Sequence, residues 1–202
     1  MAYDALTHAA QIGLTTLGFN PGPADGIKGA QTNSALQAWQ SSLQPKGQFD
    51  ERTEKNLATL ESKAQILFRQ FIPEAKKEAA KFGCEYVAIS GNRTFAEQDS
   101  LYAQGRTTPG KIVTNSKGGG SNHNFGIAMD FGVFKGGSYV DNSDPKLASQ
   151  VHSAVGAIAA KFNLDWGGAW KKFVDQPHYE VKSSLTLAQK RARVLAGQPV
   201  LG

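Results

Sequence analysis

Hydrophobic and polar positions along this chain mark out two blocks, the first ending near residue 60. Up to about residue 60 the apolar positions recur at helical spacing. Ala10, Ile12, Leu14 and Leu17 fit a short helix over 7–17, stopped by Gly18-Phe19-Asn20-Pro21-Gly22-Pro23. After the turn Asp25-Gly26-Ile27-Lys28-Gly29, Thr32 is placed to cap a helix in which Ala35, Leu36 and Trp39 share a face. A second turn, Pro45-Lys46-Gly47-Gln48-Phe49-Asp50, leads into a third helix over 51–60, with Leu57 and Leu60 facing inward. Residues 61–81 form a longer amphipathic segment through Ile66, Leu67, Phe71, Ala75 and Ala79, and Pro73 inside it predicts a kink or break.

Beyond residue 82 the elements shorten. Tyr86–Ser90 reads as a strand, Gly91-Asn92-Arg93-Thr94 as a polar turn into a helix over 95–104, and 105–120 as a long loop. Ile127–Phe131 and the region 174–181 read as further strands. Asp144-Pro145 is an N-cap followed by proline at the first helical position. Leu147, Val151, Val155, Ile158 and Phe162 give that helix its stripe, which leaves His152 off it and facing solvent; His8 also reads as exposed. Asp141-Asn142-Ser143-Asp144 reads as a capped turn rather than a calcium loop. Trp166 and Trp170 flank a glycine turn and suit either a groove or the core. The prediction is an α+β domain with a small antiparallel sheet over 62–202, preceded by a three-helix bundle over 1–61.

Composition changes this picture little. A chain of 202 residues suffices for one domain and a small module. The net charge of +5 is scattered, which fits attraction to a polyanionic polymer without naming it, and no run resembles a nucleic-acid arm. The single cysteine, Cys84, excludes an intramolecular disulfide and reads as a core thiol at the entry to a strand. No window approaches the ~18 apolar residues of a membrane span. The start of the chain lacks the basic and apolar run of a secretory leader, so cytoplasmic synthesis is expected, with any outside substrate reached by another route.

The chemistry concentrates in Ser121-Asn122-His123-Asn124-Phe125-Gly126-Ile127-Ala128-Met129-Asp130 and in Asp175-Gln176-Pro177-His178. On a straight helix His123 and Asp130 stand two turns, about 10 Å, apart. On a straight strand they face opposite ways. They meet only if the chain bends between them, a freedom that Gly126 supplies. His178 lies in an apolar-flanked segment, and Glu180 shares its face if the segment is a strand, as a carboxylate orienting a metal-bound imidazole does. Two imidazoles, a carboxylate and a separate base, Asp175, are the inventory of a catalytic zinc site.

The pattern Ser121-x-His123-x-x-Gly126-x-Ala128-x-Asp130 with Asp175-x-x-His178 resembles the zinc peptidase family of D-alanyl-D-alanine carboxypeptidases, VanY-like enzymes and the L-alanyl-D-glutamate peptidases of phage endolysins. Ser90-Gly91-Asn92-Arg93-Thr94 and the segment from Glu97 to Thr107 are similar to its substrate-side segment. Asn92 departs from the pattern, standing where an aromatic is common. The first 60 residues resemble a peptidoglycan-binding domain through Leu17-Gly18-Phe19, Pro23–Gly29 and Thr32–Gln40. The resemblance implies Zn2+ held by His123, Asp130 and His178, with Asp175 as base. It implies Arg93 holding a substrate carboxylate or the oxyanion and Ser121 contacting substrate. The expected protein is a monomeric endolysin that cuts an amide of the peptidoglycan stem peptide, most specifically L-alanyl-D-glutamate, without nucleic-acid or membrane partners. The alternatives are a D,D-carboxypeptidase releasing terminal D-alanine and a wall-binding protein whose metal is structural.

Overall fold

Asp4 caps the first helix, α1 (Ala5–Thr16), by accepting the Leu6 and Thr7 amide N–H groups. In this computed structural model, which describes residues 3–42 and 47–201, the chain packs as two units, Met1–Gln48 and Phe49–Gly202. Pro45 and Lys46 of the expected second turn fall outside the described residues. The first unit holds α1 and α2 (Ala30–Ser42) around a polar hub. Buried Gln11 donates to Asp25 Oδ1, the Ile27 carbonyl and Thr32 Oγ1, and accepts the Gly26 N–H. Thr32 is therefore not the cap expected of it. It lies inside α2, buried, and its hydroxyl is taken by Gln11 and the Pro21 carbonyl. Ile12 and Leu17 stay exposed, so Gln11 and Leu14 form the inner side of α1.

The second unit opens with α3 (Glu51–Ala58), capped by Asp50, and α4 (Ser62–Ala80). It continues through β1 (Glu85–Ser90), α5 (Phe95–Ala103), β2 (Ala128–Lys135), β3 (Ser138–Tyr139), α6 (Val140–Ser143), α7 (Pro145–Gly156), β4 (Leu164–Trp166), β5 (His178–Val181) and α8 (Leu187–Leu195). The antiparallel sheet runs β1-β2-β5-β4, with β3 paired to the far end of β2. Helix α3, read from the sequence as the third member of an N-terminal bundle ending at 61, packs here with the sheet. Thr53 Oγ1 accepts the Ala88 N–H at 3.2 Å, and Asn56 Nδ2 donates to the Ala88 carbonyl at 3.2 Å. These side chains cover backbone groups on the outer edge of β1, which a bare edge strand leaves open.

Alternation along β2 sorts its residues. Met129, Phe131 and Val133 enter the core with Tyr86 and Tyr179, beneath Phe68, Phe71, Ile72 and Ala75 of α4. Phe71 lies 5.0 Å from the Tyr179 ring, and Tyr86 stacks on Phe131 at 5.2 Å. This apolar seam explains why Pro73 does not break α4. Pro73 removes one N–H, while residues buried on both sides of it hold the two halves against the same core.

His152 is the clearest correction to the sequence reading. Instead of facing solvent it is 1% exposed, with Nδ1 2.8 Å from the Tyr86 hydroxyl and Nε2 2.7 Å from Asp141 Oδ1. Tyr86 also meets the Tyr179 hydroxyl at 3.0 Å, and Asp141 Oδ2 accepts the Val133 N–H. Asp144, next along, caps α7 as expected. Cys84 is buried in the core, also as expected. Among the described residues no helix is long and apolar enough to cross a membrane.

Gly126 ends the turn before β2 at φ 64°, and a Cβ there meets the Glu61 nitrogen at 3.1 Å. Gly126→Ala is expected to destabilise the unit by about 1–2 kcal/mol, the cost of a left-handed L-residue. Urea denaturation at unchanged slope checks it.

Candidate metal centre

Two strands and one turn bring the site together. Ser121 caps the 3-10 turn Asn122–Phe125, its Oγ accepting the His123 N–H at 3.3 Å. Gly126 then swings the chain into β2, where Asp130 pairs across the ladder with His178, the first residue of β5. His123 Nε2 lies 2.9 Å from Asp130 Oδ1 and 3.1 Å from His178 Nδ1, and His178 Nδ1 lies 3.1 Å from the same Asp130 oxygen. The three residues form a group whose ligating atoms converge on one point.

The donor set fits a divalent cation. Bonds of about 2.0–2.1 Å in a tetrahedral site place neighbouring ligand atoms about 3.3 Å apart, close to the observed separations. The outward nitrogens are already committed. His123 Nδ1 donates to the Gly91 carbonyl at 2.6 Å, and His178 Nε2 meets Glu180 Oε2 at 3.0 Å. Such partners fix which nitrogen of each imidazole is offered to a metal. Glu180 thus occupies the orienting position that its spacing predicts.

Arg93, from the turn before α5, places Nη2 2.5 Å from Asp130 Oδ2, Nε on Ser90 Oγ and Nη1 on Gln98 Oε1. Buried Gln98 in turn donates to Thr114 Oγ1 and the Ser116 carbonyl, tying the long loop to the same group. A cleft of ≈ 1010 Å³ opens over the site, and Arg93, Ser121, Asp175 and Trp170 all line it. The Trp170 ring sits 5.0 Å from that of His178, whereas Trp166 turns away and donates to the Gln176 carbonyl. The two tryptophans that the sequence left undecided therefore separate, one to the cleft and one to packing.

Asp175 approaches through Gly167, whose carbonyl accepts the Asp175 N–H at 3.0 Å; a Cβ on Gly167 stands 2.5 Å from the Asp175 carbonyl. Burial pushes the Asp175 carboxyl up, and the negative Asp130 adds to it against His178, His123 and Arg93. Burial also pushes Asp130 up, but His123 and His178 outweigh it and hold the carboxyl well below its usual range. Burial pulls the His178 imidazole down, while its hydrogen bonds to Asp130 and Glu180 prevail and raise it to about 9. Below that pH Nδ1 carries a proton that a metal must displace.

Residues 114–181 match the family described as D-alanyl-D-alanine carboxypeptidase, and residues 4–57 match the peptidoglycan binding domain family. The peptidoglycan L-alanyl-D-glutamate endopeptidase CwlK of Bacillus subtilis (strain 168) is 40% identical over 119 residues, covering 57% of this chain and 71% of that protein. The chain belongs to the D-alanyl-D-alanine carboxypeptidase and L-alanyl-D-glutamate endopeptidase family. Solved structures with a related outline include the L-Ala D-Glu endopeptidase ChiX of Serratia marcescens, 22% identical, covering 66% of this chain and 89% of that one at a TM-score of 0.44. The LdcB LD-carboxypeptidase is 18% identical, covering 76% and 71% at 0.47. Within this peptidase family member the matched segment carries His123, Asp130, Asp175 and His178, whereas Arg93 precedes it and α8 follows it.

Because His178 holds its proton up to about pH 9, cation uptake by the EDTA-stripped peptidase near pH 7 is expected to release a proton. Apparent affinity then falls about tenfold for each pH unit below that value, through this group alone. Calorimetric titration in buffers of different ionisation enthalpy measures the release.

Proposed function

We propose that this chain is a zinc-dependent peptidoglycan endopeptidase that hydrolyses the L-alanyl-D-glutamate amide of the stem peptide. The observation that carries the reading is the convergence of His123 Nε2, Asp130 Oδ1 and His178 Nδ1 at the floor of a cleft that Asp175 also lines. Three protein ligands leave a coordination position open, as catalytic sites do and structural ones do not. The CwlK relative is named for this bond.

Zinc held by those three atoms supplies a Lewis acid that polarises a carbonyl and acidifies water at neutral pH. Asp175 takes the proton of the attacking water and passes it to the leaving amine from the wall of the cleft that it lines. Arg93 keeps Asp130 oriented and places positive charge beside the cleft, where charge develops on the carbonyl oxygen. Ser121 faces the substrate from the opposite turn while fixing the His123 backbone. The 4–57 module tethers the enzyme to the insoluble wall and raises its effective concentration there. We extend the proposal to a phage endolysin, made in the host cytoplasm and released onto the wall, on its resemblance to endolysin peptidases. Co-expression with and without a membrane-permeabilising protein tests that extension, because only the former is expected to lyse cells.

Mass spectrometry of purified sacculi digested by the zinc-loaded protein, against an EDTA control, tests the reaction. Metal-dependent release of stem peptides cut after L-alanine is expected. Free D-alanine in their place favours the carboxypeptidase reading, which the description of the family matching 114–181 supports. Sacculi that bind the protein without being cut leave only the wall-binding module.

A further inference from the structure

The C-terminal helix α8 carries a lysine buried at the edge of the active cleft. Lys190 is 6% exposed, an unusual state for a lysine, and it lines the cleft with Asn122 and Glu180. Its Nζ donates to Asn122 Oδ1 at 2.8 Å. Glu180, which lines the same cleft, places Oε2 3.0 Å from His178 Nε2. The next residue, Arg191, donates from Nη1 to the Gly119 carbonyl at 3.0 Å. Two successive side chains of α8 thus grip the segment 119–122 just ahead of His123, and one of them bonds an asparagine that shares the cleft with the Glu180–His178 pair. Helix α8 is itself set by a capping box, with Thr186 and Gln189 satisfying each other's backbone N–H groups.

We propose that Lys190 is a positioning residue of the metal centre, acting through Asn122 and Glu180 to hold the His178 imidazole in its ligating orientation. This rests on the zinc reading above. The amide of Asn122 is symmetric enough to flip, and a cation on its oxygen selects the orientation that presents N–H to Glu180. A carboxylate held from that side keeps its other oxygen on His178. A neutral side chain in place of Lys190 removes the cue, so Asn122 and Glu180 no longer share one arrangement. Orienting partners of this kind are typically worth about 10–100-fold in metal affinity.

The test is zinc affinity, measured by competition with a chromophoric chelator on the full chain, for wild type, Lys190→Met, Lys190→Arg, Asn122→Ala and the double variant Lys190→Met/Asn122→Ala. Lys190→Met is expected to weaken zinc binding about tenfold while KM on a stem peptide, at saturating zinc, stays within twofold. Lys190→Arg is expected to recover most of the affinity, and Lys190→Met to add little once Asn122 is alanine, since the two act in one chain. Melting of the EDTA-treated variants separates this from general unfolding, with Arg193→Ala, also on α8, as the control expected to keep wild-type affinity. Unchanged zinc affinity in a folded Lys190→Met, or a raised KM alone, overturns the relay and leaves the zinc reading standing. Wild-type protein that takes up no zinc overturns both.

Discussion

Asp175→Ala is expected to lower kcat by about 10²–10⁴-fold, the usual contribution of a positioned general base, while the protein keeps its bound zinc. The separation of the two effects follows from geometry. Asp175 lines the cleft but stands outside the three converging ligand atoms. Among the described residues its carboxylate is influenced by burial and by neighbouring charges, with no hydrogen bond committing it elsewhere. The acid limb of the kcat profile reports the same group. The base form is lost as pH falls through the carboxyl's pKa, which burial raises and a bound cation lowers. In Asp175→Ala that limb disappears from whatever rate remains. Steady-state kinetics from pH 4 to 9 with parallel metal analysis makes the measurement, and a wild-type rate with an intact acid limb removes Asp175 from the role.

Asp130→Ala is expected to remove the metal, the activity and a substantial part of the stability together. One Asp130 oxygen faces both imidazoles and the other accepts from Arg93. Deleting the carboxylate leaves two imidazoles and a guanidinium around a half-buried hole with no anion between them. Breaking a buried pair in this way costs about 3–5 kcal/mol. Zinc content by elemental analysis should fall to background, and the loss of stability should appear in urea denaturation of EDTA-treated protein, where metal linkage plays no part. Asp130→Asn tests the charge separately from the volume. It keeps the shape, loses the anion, and is expected to bind zinc far more weakly than wild type.

The convergence of His123, Asp130 and His178 was legible because the chemistry they suggest constrains the chain. His123 and Asp130, seven apart, converge only across a bend, and Gly126 marks where it falls. Glu180 followed from strand alternation once His178 was read as a ligand. His152 was not legible, because the apolar stripe of α7 shows only one of its buried faces, whereas that helix meets both α4 and α6, which carries Asp141. Its second buried face is polar, and hydropathy does not register it. Helix α3 shows another limit. Its amphipathic pattern states that it packs, but Thr53 and Asn56 choose β1 as its partner through hydrogen bonds that no periodicity encodes. Beyond residue 181 the hydropathy pattern predicts no further element. The signal for α8 was nonetheless present in Thr186-x-x-Gln189, although the helix reaches the cleft with a buried lysine, Lys190, as well as with Leu187.

The alternation along β2 bears on how such a chain tolerates change in length. Even-numbered Asp130 faces the cleft while Met129, Phe131 and Val133 fill the core. Deleting one codon between Ala128 and Phe134 exchanges those faces downstream of the cut. A methionine or phenylalanine then looks into water, and a carboxylate is driven among aromatic rings. The exposed stretch 105–113 carries no such parity. A scan of single-codon deletions is therefore expected to find a silent zone there and an intolerant one in β2, so that lineages of this enzyme diverge in length around the cleft while the strand beneath it keeps count.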